Sequence, residues 1–292
     1  CLVILPGIRG NNNILRVRDL AAALHAEGFH VLTLELRGTG QTDVRFPEYD
    51  YTWGIRETDD LLAVADWLQA EPVVRRTGLI GYSWGANHAL MAAWADGRTD
   101  ASGIPLRLRP VVAPASPEKQ RYEAGVIAFS PGVRSDDLVA KLAVERSPLV
   151  NPALAGLQNT LRKRMIAKGY ADPSGDAREL LKRTDLGIDD PMPDILEYVR
   201  MMPYEGLPAR VDLEAVRVPV LIVQASDDPI APAQDVADLI ATVENPDVAA
   251  IMLPRGGHVG FAPYASDWYY NLILNYFDPT VGAAAAQNDP GD

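Results

Sequence analysis

Apolar residues in the first half of the chain fall into short runs separated by amphipathic stretches. Leu2-Val3-Ile4-Leu5, His30–Leu36, Thr77–Gly81 and Val126–Phe129 read as strands. Ile14–Glu27 carries Val17, Leu20 and Leu24 at helical spacing, with Gly28 as its stop. Glu57–Gln69 is a second helix, turning Leu61, Leu62, Val64, Ala65 and Leu68 inward. Strand–helix alternation of this kind predicts a mostly parallel sheet flanked by helices. The stretch Ile104–Glu123, rich in proline and arginine, is expected to run along the surface.

The rhythm breaks from Gly132 to about Arg210, where helical patterns occur without a strand. Candidate helices span Ser135–Arg146, Gly156–Lys168 and Ile195–Met202, with prolines between them. Alternation then resumes with strand Val218–Gln224, helix Ala233–Val243, strand Ala249–Leu253 and an aromatic-rich helix Ser266–Phe277. The expected organisation is a first core part at 1–131 and a helical lid at 132–210, inserted before the strand that leads to an acidic loop. A second core part at 211–278 and a small, polar, disordered tail at 279–292 complete it. A separate small helical domain is the alternative to the lid.

Composition narrows the function. With 292 residues and 48% hydrophobic content, the chain can bury a large core. A net charge of −12 argues against a nucleic-acid partner, because phosphate binding needs a basic face. The single cysteine, Cys1, excludes an internal disulfide framework and a cysteine-based metal site. No metal-ligand cluster and no cofactor motif is present, so neither is expected. No run approaches the ~18 apolar residues of a membrane span, so no integral membrane segment is expected, and the expected location is cytoplasmic. The chain does not begin with methionine but directly in a strand-like run, so its native start is expected to lie upstream. Nothing in it signals an oligomeric state.

The chemistry centres on Gly81-Tyr82-Ser83-Trp84-Gly85, between the run Leu79-Ile80 and the helical stretch Ala86–Trp94. Strand, G-x-S-x-G, helix is the setting of a nucleophile elbow, in which a tight turn pushes a serine hydroxyl out of the sheet. A serine hydroxyl is a poor nucleophile unless a base takes its proton and a third group holds that base. Of four histidines, His25 lies on a helix, His30 opens a strand and His88 follows the elbow, turned away from the serine. These three are read as structural or solvent-facing. His258 lies in Gly256-Gly257-His258-Val259-Gly260-Phe261, a glycine-rich loop after the last strand, from which a side chain can swing back over the sheet edge. Asp227 and Asp228, after the preceding strand, compete to orient it. Asp228 is preferred, and Asp227 is read as satisfying turn backbone. An oxyanion site needs two amides, for which Trp84 and Ile8 of Pro6-Gly7-Ile8 are the candidates. Tyr198, Met201, Met202 and Tyr204 are candidates for lining an acyl pocket, and equally for lid packing.

The order Ser83, Asp228, His258 is that of α/β-hydrolases. The residues resemble the YheT-like branch of that superfamily, which includes embryogenesis-associated esterases and ABHD-type lipid hydrolases. The resemblance rests on Pro6-Gly7-Ile8-Arg9-Gly10, Arg37-Gly38-Thr39-Gly40, Glu57-Thr58-Asp59-Asp60, Gly81–Asn87, Asp227-Asp228-Pro229 and Gly256–Phe261. It runs from Leu2 to about Phe277 and is weakest in the lid. It implies the α/β-hydrolase fold and a triad of Ser83, Asp228 and His258. The branch commonly has leucine at Trp84 and glycine at Ala86, and a bulkier Trp84 would narrow the acyl site. Members usually carry further strands before the one that opens this chain.

The expected function is therefore serine carboxylic ester hydrolysis through an acyl-enzyme, on a small-molecule ester with a short- to medium-chain or lipid-like acyl group. Transfer of the acyl group to an alcohol is the alternative. Peptide hydrolysis ranks lower, because Pro6-Gly7-Ile8-Arg9-Gly10 is unlike the oxyanion loop of proline iminopeptidases. A non-catalytic binding role on the same scaffold ranks lower still.

Overall fold

The computed structural model describes residues 1–7, 10–49, 51, 54–97, 120–133, 152, 155, 159, 163, 213–261 and 266–278. Among them six strands form one parallel sheet: β1 (Leu2–Leu5), β2 (Val31–Thr33), β3 (Gly78–Tyr82), β4 (Gly125–Phe129), β5 (Val220–Ala225) and β6 (Val248–Leu253). The helices bounded within the described residues are α1 (Leu15–Ala26), α2 (Gly40–Arg45), α3 (Ile55–Ala70), α4 (Trp84–Gly97), α5 (Ala233–Thr242) and α6 (Ser266–Phe277). The spatial order is β2-β1-β3-β4-β5-β6. The chain steps from β1 to one side, then returns to place β3 on the other. The loops after β1 and β3 therefore diverge, and in an open α/β sheet such a switch point opens a crevice at the strands' carboxyl ends.

Strand periodicity splits the core into two layers. Val3, Leu5, Leu79, Val126, Ala128, Val220 and Ile222 face Leu61 of α3, Leu90 of α4 and Leu239 of α5. Their neighbours Leu2, Ile4, Ile80, Ile127, Phe129, Leu221 and Val223 face Leu20 and Leu24 of α1 and Tyr269, Ile273 and Phe277 of α6. Central strands buried on both faces read as continuous apolar runs, which is why β1, β3, β4 and β5 were legible. The edge strand β2 is shorter than the expected His30–Leu36. Among the described residues it pairs with β1 alone, and regular pairing ends at Thr33.

The structure adds one element that the sequence pattern does not show and corrects one further expectation. Helix α2 was not foreseen. Its six residues include no buried one, so it has no apolar stripe to read. The surface excursion does not extend through residue 123. Tyr122 is fully buried and its hydroxyl donates to Leu61 O at 2.6 Å. Arg121 beside it bridges Asp66 of α3 (2.7 Å) and Asp96 of α4 (3.0 Å), so this segment is stitched to both helices.

The expected lid lies mostly outside the described residues, as do the helix candidates at 135–146 and 195–202. Pro152, Ala155, Asn159 and Lys163 are helical. The expected tail at 279–292 is also outside. The segment that leaves β4 is clasped at its root. The Asn87 side chain, fully buried on α4, donates to Gly132 O at 2.8 Å and accepts from Gly132 N at 3.0 Å. Asn87→Ala would leave both backbone groups unpaired. It is expected to lower unfolding stability by about 2 to 4 kcal/mol in a urea titration.

Candidate active site

Ser83 sits in the turn between β3 and α4 with φ +53°, a left-handed conformation unusual for a residue with a Cβ. Backbone bonds hold it there. Its N–H donates to Phe129 O on β4 at 2.8 Å, and its carbonyl accepts from Ala86 N at 2.9 Å. Small residues are required on either side because chain segments nearly touch. A Cβ on Gly81 would lie 2.3 Å from Gly85 O, and one on Gly85 would lie 2.3 Å from Pro6 O. The loop after β1 is pressed onto the serine in the same way, since a Cβ on Gly7 would stand 3.0 Å from Ser83 Cβ. Ile8 lies outside the described residues. Trp84 is buried and opens α4, so its amide belongs to the first turn, whose N–H groups point toward the helix N-terminus.

The loops after β5 and β6 bring two further side chains to the same edge. Ser83 Oγ is 2.7 Å from His258 Nε2, and His258 Nδ1 is 3.0 Å from Asp228 Oδ2. The Asp228 side chain has no exposed surface and that of His258 is 14% exposed, so the row runs from interior to opening. Burial works to raise the Asp228 pKa. Hydrogen bonds and charge from His258, with the amides of Ile230 and Ala231, outweigh it and hold the carboxyl below its ordinary value. The arrangement can pass a proton from a hydroxyl to an imidazole whose other nitrogen faces a carboxylate.

Asp227 turns the other way. Its Oδ1 accepts from the amides of Gly256 (2.9 Å) and Gly257 (2.7 Å), the residues just before His258. It satisfies backbone, as expected, but of the histidine loop and not of its own turn. Asp227→Ala is expected to speed amide hydrogen exchange at Gly256 and Gly257 by at least about tenfold, read by NMR. Ser130, fully buried after β4, accepts from Val259 N at 3.2 Å and braces that loop from the other side. Sequence reasoning missed Ser130 because a lone serine after a strand carries no distinguishing signal.

The remaining histidines stand apart from this row. His25 and His30 are exposed. His88 is 1% exposed on α4, with Nε2 2.7 Å from the Tyr51 hydroxyl. It is structural, and burial lowers its pKa to about 3. Among the described residues no group of three His, Cys, Asp or Glu side chains converges as metal ligands would. Tyr198, Met201, Met202 and Tyr204 lie outside the described residues.

A parallel sheet with this switch point, and a serine, histidine and aspartate meeting at its carboxyl edge, define an α/β hydrolase. The chain belongs to the alpha/beta hydrolase family, whose model matches residues 2–270. It is 22% identical over 285 residues to embryogenesis-associated protein EMB8 of Picea glauca, a match that covers 95% of this chain and 58% of that protein. The chain thus spans little more than half the length of this relative. Its fold is similar to that of the Pyrococcus furiosus esterase Pf2001, with TM-score 0.57 and 15% identity, over 95% of this chain and 82% of that one. A structure from work on LipS and LipT, two metagenome-derived lipolytic enzymes, aligns with TM-score 0.54 and 18% identity, over 95% and 93% of the two chains. No helix among the described residues is long and apolar enough to cross a membrane.

Proposed function

We propose that this chain is a serine carboxylic ester hydrolase with Ser83, His258 and Asp228 as its triad. The observation that carries the reading is the hydrogen-bonded row Ser83–His258–Asp228, at 2.7 and 3.0 Å, beside the switch point of the sheet. Ser83 Oγ attacks the ester carbonyl while His258 Nε2 takes its proton. Asp228 stays ionised, fixes the imidazole tautomer and stabilises the imidazolium. The amides of Trp84 and Ile8 receive the tetrahedral oxyanion. His258 then protonates the departing alcohol, and the same imidazole activates water to release the acyl group. The amide of Trp84 follows the serine directly, as one oxyanion donor of an elbow does.

Residues 132–210 are the proposed lid. The connection from Phe129 to Val220 leaves at the carboxyl end of β4, the edge that carries Ser83, and its root is clasped by Asn87. Tyr198, Met201, Met202 and Tyr204 are proposed to line the acyl pocket, on short- to medium-chain or lipid-like esters. Membership of the YheT-like branch fits the motif set and the similarity to the Picea glauca protein.

The test is a p-nitrophenyl ester panel from acetate to palmitate, with labelling by a fluorophosphonate. Hydrolysis that peaks at one chain length and stoichiometric labelling at Ser83 are expected. No hydrolysis and no labelling would overturn the reading. Product analysis with added ethanol separates the acceptors, since accumulation of ethyl ester in place of free acid would make the chain an acyltransferase.

A further inference from the structure

Strand β5 holds one polar residue. Val220, Leu221, Ile222, Val223 and Ala225 are apolar, and Gln224 between them has 0% of its surface exposed. Burying an amide costs stability unless its lost water bonds are replaced. Among the described residues Gln224 replaces only half of them. Its Nε2 donates to Ala231 O at 2.7 Å and to Asp228 Oδ2 at 3.2 Å. Its Oε1 is buried with no hydrogen-bond partner among the described residues. An aliphatic side chain would avoid the cost of the unpaired Oε1, so the reason for glutamine here lies in the two bonds that its Nε2 makes.

The two acceptors point to what it does. Asp228 Oδ1 accepts from the amides of Ile230 (2.8 Å) and Ala231 (2.9 Å), which tie that oxygen to its own turn. Both carboxylate oxygens stand almost equally far from His258 Nδ1, at 3.1 and 3.0 Å. The imidazole alone therefore leaves the plane of the carboxylate loosely defined. Gln224 supplies a further anchor, at Oδ2. It does so from the sheet, where its backbone is paired with Met252 on β6, while its second bond grips the end of the same turn. We propose that Gln224 is a positioning residue that sets the plane of the Asp228 carboxylate toward His258. The inference rests on the reading of Asp228 as the triad acid. At 3.2 Å the contact lies at the long end of the hydrogen-bond range, and the 2.7 Å bond to Ala231 O fixes the amide that makes it. Orientation matters most when His258 becomes cationic, so its loss should act on turnover and not on substrate binding.

Gln224→Met keeps the volume and removes both bonds. The expected result on p-nitrophenyl butyrate is a kcat lower by about tenfold with KM unchanged within about twofold. The downfield proton resonance of His258 Nδ1–H should shift or broaden in the same variant. Unchanged kcat and an unchanged resonance, with only Tm altered, would overturn the proposal and leave Gln224 as a turn fastener. A second measurement uses the wild type and does not depend on the variant folding. A boronic acid adduct at Ser83 should move the Gln224 side-chain NH2 cross-peak, and a stationary cross-peak would also overturn the proposal. A wild type inert to esters, fluorophosphonate and boronate alike would fail the ester-hydrolase reading instead. The Nδ1–H resonance needs no turnover and would still decide whether Gln224 positions Asp228.

Discussion

Ser83→Ala is expected to lower kcat on the best ester of the panel by about 10⁵- to 10⁶-fold, with KM little changed and fluorophosphonate labelling abolished. Without the hydroxyl no acyl-enzyme can form, and in serine hydrolases loss of the nucleophile costs about as much as loss of the whole triad. The row of contacts predicts an ordered series. His258→Ala should match Ser83→Ala, because an unassisted hydroxyl stays protonated. Asp228→Asn should cost about 10⁴-fold, since the amide favours the wrong imidazole tautomer. His258 alone joins the other two, at 2.7 and 3.0 Å, so the losses should not add in a double variant. Steady-state kinetics on wild type, the three single variants and a double variant checks this. A Ser83→Ala protein that retains more than about one hundredth of wild-type kcat would place the nucleophile elsewhere.

The second large effect is on stability, and its source is His88. The imidazole is wholly buried on α4, and desolvation lowers its pKa from 6.5 to about 3. In the unfolded chain it titrates near its ordinary value. Between those two values the unfolded state binds the extra proton, so falling pH favours unfolding. The stabilising contribution is fully present above about pH 6.5 and is lost progressively toward pH 3. At pH 5 the loss is about 2 kcal/mol, and the full span corresponds to roughly 5 kcal/mol. His88→Gln can keep a hydrogen bond to the Tyr51 hydroxyl and cannot titrate. Urea unfolding at pH 7.5 and pH 5.0 should show wild type losing about 2 kcal/mol more than the variant. Equal losses would mean that His88 is hydrated enough to take the proton in the folded state.

Most of the fold, and the residues that meet at the carboxyl edge of the sheet, were legible in the residue order. Apolar runs in β1, β3, β4 and β5 and spaced apolar residues in α1 and α3 predicted the alternation, because each buried face leaves a period. The meeting of Ser83, Asp228 and His258 was legible because a G-x-S-x-G turn needs glycines at two fixed offsets, and the aspartate and histidine follow successive strands. What was not legible depended on distant partners. Helix α2 has no buried face, so its pattern is silent. Tyr122 sits in a proline- and arginine-rich stretch, and only the packing of α3 against it shows that it is core. Helix α4 is buried on all sides, so nothing in its composition told whether His88 faced solvent or protein.

Asp227 and Asp228 make the division clearest. The sequence by itself determined that an acidic pair follows β5 and a glycine-rich histidine loop follows β6, since local propensity and spacing are enough for that. Only the tertiary structure decided that Asp228 meets His258 while Asp227 holds the amides of Gly256 and Gly257. It alone showed that Gln224 reaches Asp228 and Ser130 reaches Val259. The physical reason is that strand geometry fixes which residues share a sheet edge, whereas the direction of a side chain is chosen by hydrogen-bond partners far away in the chain.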